Sequence, residues 1–198
     1  SSDIYAVNFT NNGEAVVAGG LMTKLAVRGT KTGVASEVHL ATSLQSMAPI
    51  MDKNIAAGGG DGSVFVVDTE RGAVVSQWKQ HRKKAPAISV VGNTIVSGSF
   101  DCSVCMTDAR ASNATPAMHT MKFQQYVTGL SVDGNHLTAC VGDNLYLWDL
   151  RNLGTVLGGF PQAWPGLSRA VKIVSETETI VTASPDGIAR FWSFDGSS

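Results

Sequence analysis

Short apolar runs separated by Gly, Asn and Asp turns fill the chain, and one of them recurs at nearly constant spacing. It follows a Gly/Asp turn and leaves as a strand: Lys24-Leu25-Ala26-Val27, Val64-Phe65-Val66-Val67-Asp68, Val104-Cys105-Met106-Thr107-Asp108, Leu145-Tyr146-Leu147-Trp148-Asp149 and Ala189-Arg190-Phe191-Trp192-Ser193. With Arg28 taken as the counterpart of the closing Asp in the first copy, the steps to Asp68, Asp108, Asp149 and Ser193 are 40, 40, 41 and 44 residues. A period of this length, rich in β-branched residues and turn formers, marks a four-stranded sheet repeated radially.

The third repeat shows the plan. Ala87 to Val91 leads through Gly92-Asn93 into Thr94 to Ser97, then a turn from Gly98 to Asp101, the strand ending at Asp108, and a weaker strand near Ala117 to Met121. Gly-Asn between apolar runs predicts a tight hairpin, since both residues accept positive φ. No stretch carries a sustained helical period, so the class is all-β. The expected architecture is a β-propeller of four-stranded antiparallel blades in one domain, with approximate blades 3–42, 43–85, 86–125, 126–166 and 167–196. The fifth repeat stops soon after Trp192 without a fourth strand. An unpaired sheet edge invites aggregation, so this reading takes the chain as the C-terminal portion of a larger ring, completed by an N-terminal segment or by a second chain.

Composition narrows the function classes. Charged residues make up 16% of the 198, with 21 Gly and a formal net charge of −1. That balance gives no global attraction to nucleic acid. No apolar run is long enough to span a bilayer, and no basic segment followed by an apolar core opens the sequence. The odd count of three Cys fits reduced thiols in a cytoplasmic or nuclear protein.

With the strands placed, Leu145-Tyr146-Leu147-Trp148-Asp149-Leu150-Arg151 and Ser184-Pro185-Asp186-Gly187-Ile188-Ala189-Arg190-Phe191-Trp192 resemble the WD-repeat family of β-propellers. In that family a turn Asp, a Trp ending the third strand and a Ser or Thr on the second share a hydrogen-bonded support with a His from the preceding loop. The resemblance assigns the turn position to Asp61, Asp101, Asp143 and Asp186, and the Trp position to Trp148 and Trp192. The first three copies carry Val27, Val67 and Thr107 there, and Gly-His is absent, although His81 after Gln80 lies in the right loop for the third blade. Asp108-Ala109-Arg110 and Asp149-Leu150-Arg151 resemble the motif by which WD-repeat substrate receptors dock on the adaptor of cullin-RING ubiquitin ligases; the local alternative is an Arg bracing its own turn.

Candidate chemistry is sparse. Gly58 to Gly62 has no following Lys-Ser/Thr and reads as a turn between strands, and no nucleophile elbow or metalloprotease helix occurs. Cys102-x-x-Cys105 has the spacing of half a zinc site but no second pair, so small packed side chains are expected, with no metal and no cofactor. Lys79-Gln80-His81-Arg82-Lys83-Lys84 is the dense basic run, on a loop between blades. Arg82, Lys83 and Lys84 are candidates for an acidic partner, a phosphoinositide head group or a nucleic-acid backbone, with a solvated loop as the simpler reading and nucleic acid disfavoured by the lack of interleaved aromatics. Among Trp78, Trp164, Phe100 and Phe160, Trp164 is the best exposed anchor, and the others are expected to pack between blades. The reading is a non-catalytic protein–protein interaction scaffold among other protein subunits. Partner-binding candidates are Arg82, Lys83, Lys84, Trp164, Arg110 and Arg151.

Overall fold

The structure, a computed structural model, describes residues 3–10, 12–51, 53–111, 117–161 and 170–195. Among these residues the secondary structure is strand, apart from one 3-10 turn at Ser175–Thr177. The first sheet holds β1 (Ile4–Phe9), β2 (Ala15–Gly20), β3 (Lys24–Gly29) and β4 (Ala35–His39). The second holds β5 (Leu44–Pro49), β6 (Asn54–Gly59), β7 (Ser63–Asp68) and β8 (Ala73–Lys79). The third holds β9 (Ala87–Val91), β10 (Thr94–Gly98), β11 (Ser103–Asp108) and β12 (His119–Lys122). The fourth holds β13 (Val127–Asp133), β14 (His136–Val141), β15 (Asn144–Asp149) and β16 (Val156–Phe160). The fifth holds three strands, β17 (Ala170–Val174), β18 (Thr179–Ala183) and β19 (Ala189–Ser193). Every sheet is an antiparallel meander in chain order, as the all-β propeller reading expects. No helix among the described residues is long and apolar enough to cross a membrane.

The first strand of each sheet packs on the first strand of the next, β1 on β5, β5 on β9, β9 on β13 and β13 on β17. The sheets therefore stand side by side around their innermost strands. Apolar layers fill the spaces between them: Val17, Leu25 and Val27 meet Ile55, Phe65 and Val67; Val64 and Val66 meet Ile88 and Ile95; Val104 and Met106 meet Leu137 and Trp148; Leu145 and Leu147 meet Ile173 and Ile180. A strand between two such layers is apolar on both faces, which is why β7 reads Ser-Val-Phe-Val-Val-Asp with little alternation.

Inner strands also use side chains to satisfy backbone groups across the gap between sheets. Asn8 Nδ2 donates to the Met47 carbonyl at 3.5 Å, the Val132 amide donates to Ser89 Oγ at 3.0 Å, and the Ile173 amide donates to Ser131 Oγ at 3.1 Å. Buried backbone groups need such partners wherever no ladder continues.

One register assignment is corrected. The bonds that close each repeat run from the amides of Thr30, Thr69, Ala109, Leu150 and Phe194. The counterpart of Asp68, Asp108, Asp149 and Ser193 is therefore Gly29, one residue beyond Arg28, and the first step is 39 residues. Val17 pairs with Val27 in the β2–β3 ladder, which turns Leu25 and Val27 toward the second sheet and Arg28 to the opposite face. In a strand a one-residue slip exchanges the two faces, and the apolar count alone did not reveal it.

The arc is open. Among the described residues no comparable contact joins β17 back to β1. Its consequence appears at equivalent positions: Val27, Val66, Met106 and Leu147, each facing the next sheet, are 5%, 3%, 5% and 1% exposed, whereas Phe191 in the fifth sheet is 65% exposed. On the far side of the first sheet Val7 and Phe9 are 60% and 56% exposed.

Candidate functional site

Two turns, 80–86 and 99–103, meet on one rim and are fastened together. His81 is buried at their junction, with Nε2 2.8 Å from Ser97 Oγ and Nδ1 3.0 Å from Ser103 Oγ and 3.3 Å from Asp101. Ser103 Oγ donates to Asp101 at 2.5 Å, and the Arg82 amide donates to the same carboxylate at 2.9 Å. Burial holds the His81 imidazole below its ordinary value, with Asp101 offsetting only part of that. Partial burial would raise Asp101, but hydrogen bonds from the Ser103 hydroxyl and the Arg82 amide hold it below the usual carboxylate range. A neutral ring fits this setting: Nδ1–H donates toward Ser103 and Asp101, and Nε2 accepts from the Ser97 hydroxyl.

The alignment Ser97, His81, Asp101 has the connectivity of a hydrolytic triad, yet Ser97 is wholly buried and its oxygen meets no open cavity. Nucleophilic attack requires a substrate carbonyl against that oxygen. The arrangement instead ties loop to sheet, as the WD-repeat resemblance implies, with His81 following Gln80 in place of Gly. Gln80 Nε2 donates to Thr107 Oγ1, the residue at the position that the resemblance assigns to Trp.

The other turn aspartates find different cations or amides. Asp61 accepts from Lys79 Nζ at 2.7 Å, Asp143 from Asn144 Nδ2 at 2.8 Å, and Asp186 from Arg190 at 2.7 Å. Trp192 Nε1 donates to Thr182 Oγ1 at 3.0 Å, while Trp148 is buried between the third and fourth sheets. The four aspartates thus occupy equivalent turns with a different local partner in each.

The basic loop is held rigidly. His81 and Ala85 amides donate to the Gly62 and Gly59 carbonyls, and the Phe100 amide and Ser99 hydroxyl donate to the Lys84 and Lys83 carbonyls at 3.1 Å each. The run Gly58 to Gly62 ends β6 and makes the β6–β7 turn, and its glycines let the loop approach. At Gly62, φ is +90°, and a Cβ would meet the His81 and Lys83 carbonyl oxygens at 2.4 and 2.5 Å. Gly62→Ala is expected to cost more than about 1 kcal/mol in urea denaturation, because strain and backbone collision act together.

Lys83 and Lys84 do not simply extend into solvent. Lys84 Nζ lies 4.2 Å from the Phe100 ring centroid and Lys83 Nζ 5.5 Å from that of Tyr126, and the two rings stack at 4.9 Å with planes 3° apart. Beside them opens a cavity of about 580 Å³ lined by Tyr5, Leu21, Gln45, Lys84, Pro86 and Phe100 among others. The aromatic component was invisible to local inspection of the basic run because Phe100 and Tyr126 come from later turns. Trp78 and Phe160 are buried between sheets, as expected; Trp164 lies outside the described residues.

On the opposite rim Arg110 folds back on Asp108, through Nε at 2.9 Å and Nη2 at 2.7 Å, and Arg151 on Asp149 likewise. Hydrogen bonds from these side chains hold both carboxyls down to about 2. The central opening, about 310 Å³, is lined by Ser46, Ala87, Ile88, Leu130, Val171 and Lys172 among others. Cys102 is half-buried and Cys105 buried, and among the described residues no cluster of three or more His, Cys, Asp or Glu is placed to hold a metal ion.

No family model matches the chain. It is 26% identical over 112 residues, 52% of its own length, to the THO complex subunit 6 homolog of Danio rerio. The match spans about a third of that relative, 35% of its length. This similarity and the five antiparallel sheets are compatible with a WD-repeat propeller, and the relative is by its name a subunit of a complex.

Proposed function

We propose that the chain is a non-catalytic interaction scaffold of WD-repeat type, working inside a multi-subunit assembly of the cytoplasm or nucleus. The observation that carries this reading is the exposure of the two terminal faces. Phe191 on the fifth sheet and Val7 on the first are open, although their counterparts in the interior sheets, Val66, Met106 and Leu147 for Phe191 and Met47, Ile88 and Leu130 for Val7, are buried. Burying a large apolar side chain contributes about 1.5–3 kcal/mol, so these faces favour protein cover, from another sheet-forming segment or from a neighbouring subunit. Similarity to a complex subunit supports the same reading.

Arg110 and Arg151 already direct their forked donors at their own aspartates, which favours turn bracing over docking on a ligase adaptor. The central opening, walled mainly by Ala, Val, Ile and Leu with Ser46, Thr128 and Lys172 as its polar side chains, offers few groups for a small polar substrate to recognise.

Hydroxyl-radical footprinting tests the scaffold. Phe191, Val7 and Phe9 are expected to label strongly in the isolated chain and weakly in the assembly isolated from cells. Equal labelling in both states overturns the reading.

A further inference from the structure

We infer that the rim cavity bounded by Lys84, Phe100, Tyr5 and Leu21 is a docking site for an acidic protein segment carrying an apolar or aromatic side chain. The inference rests on the interaction-scaffold reading but concerns a surface separate from the terminal faces. Charge is the first argument. Lys79 has Asp61 as its ion-pair partner, but among the described residues no carboxylate lies within ion-pair distance of Arg82, Lys83 or Lys84. A chain of net charge −1 therefore carries three consecutive cations without an ion-pair carboxylate on one loop, and Lys84 of these lines a cavity of about 580 Å³.

Preorganisation is the second argument. The backbone of 81–85 is bonded to the turns at 59–62 and 99–103, so the cations project from a fixed loop and an incoming carboxylate orders little additional chain. The walls supply the rest: Tyr5, Leu21 and Phe100 give apolar surface, while Ser43 and Gln45 offer polar groups to a peptide backbone.

The aromatic pair separates peptide from nucleic acid. The two rings stack on one another at 4.9 Å, and each also carries an ammonium, Lys84 over Phe100 and Lys83 over Tyr126. The pair is already engaged with itself and with two lysines, which disfavours it as the stacking platform that single-stranded nucleic acid binders depend on. A carboxylate approaching the ammoniums from solvent disturbs neither ring.

The test uses the isolated chain and a fluorescein-labelled peptide of alternating Glu and Leu with one Phe, read by fluorescence anisotropy beside its Gln-for-Glu counterpart and beside poly-uridine RNA. Expected are binding of the Glu peptide that weakens as salt rises, at least ~tenfold weaker binding after combined Lys83→Glu and Lys84→Glu exchange, and retained binding after Lys83→Arg with Lys84→Arg. Tyr5→Ala, on the exposed cavity wall, is expected to weaken binding several-fold, about threefold or more, and serves if charge reversal perturbs folding. Equal binding of the Glu and Gln peptides, preference for RNA, or indifference to both the reversal and Tyr5→Ala overturns the inference. Footprinting of the terminal faces is unaffected by that result, so the two readings fail separately.

Discussion

His81→Ala is expected to destabilise the chain by about 3 kcal/mol, measured by urea denaturation at neutral pH. The substitution empties a buried site and removes at one stroke the groups facing Ser97 Oγ, Ser103 Oγ and Asp101. Each polar group left unpaired in the interior costs about 1–3 kcal/mol, although the Arg82 amide and Ser103 continue to serve Asp101. The damage also spreads along the loop, because the His81 ring anchors the segment whose carbonyls at Lys83 and Lys84 receive the Ser99 hydroxyl and Phe100 amide. Loss of fold at this junction therefore takes the basic rim with it.

The same residue sets an acid sensitivity. Burial lowers the imidazole from its ordinary 6.5, so the unfolded chain binds a proton more readily than the folded one. Stability from His81 is complete above about pH 6.5 and is lost as pH falls through the depressed folded value. Asp101, also lowered from its ordinary 3.8, contributes in the same direction at more acid pH, losing its share as protonation reaches its folded value. Between pH 7 and 5 the parent chain is expected to lose stability with falling pH, and His81→Ala to show a flatter profile from a lower starting point. A parent profile no steeper than the variant's contradicts the assignment of a neutral, buried ring.

Much of this architecture was legible because the strand signal is local. Gly92-Asn93 and Asp133-Gly134-Asn135 supply the residues that tight turns require, and Gly92 and Gly134 do adopt positive φ, +56° and +55°. The slip at Arg28 arose where those local cues weaken. The first repeat has no Asp or Trp to fix its phase, and Lys24-Leu25-Ala26-Val27 fits either register until pairing with Val17 is known. The resemblance points to His81 by its loop position and to Asp101 by its turn, but the full set of partners, with Ser97 on β10 and Ser103 opening β11, becomes plain only once the loop is packed on the next sheet. The rim was harder still. Lys84 meets Phe100, and Lys83 meets Tyr126, which enters from the connection before β13, so only the stacking of successive sheets brings these four side chains together.

Leu147→Ala is expected to cost about 2–5 kcal/mol, whereas Phe191→Ala changes the isolated chain by no more than about 0.5 kcal/mol. The two residues hold equivalent places on the third strands of adjacent sheets, so their intrinsic strand preferences do not explain the difference. Leu147 is 1% exposed in the layer with Leu145, Phe160, Ile173 and Ile180, and removing its branch opens a cavity at the contact that holds the fifth sheet. That sheet is covered on one face and free on the other, so it has no second layer to compensate. Local opening should then precede global unfolding, and amide hydrogen exchange in β17 to β19 is expected to accelerate in Leu147→Ala more than exchange in β5 to β8. Phe191 faces the open side and contributes its burial only when a partner covers it. If Phe191→Ala destabilises the isolated chain as strongly as Leu147→Ala, the open-face assignment is wrong, because the side chain must then already be packed.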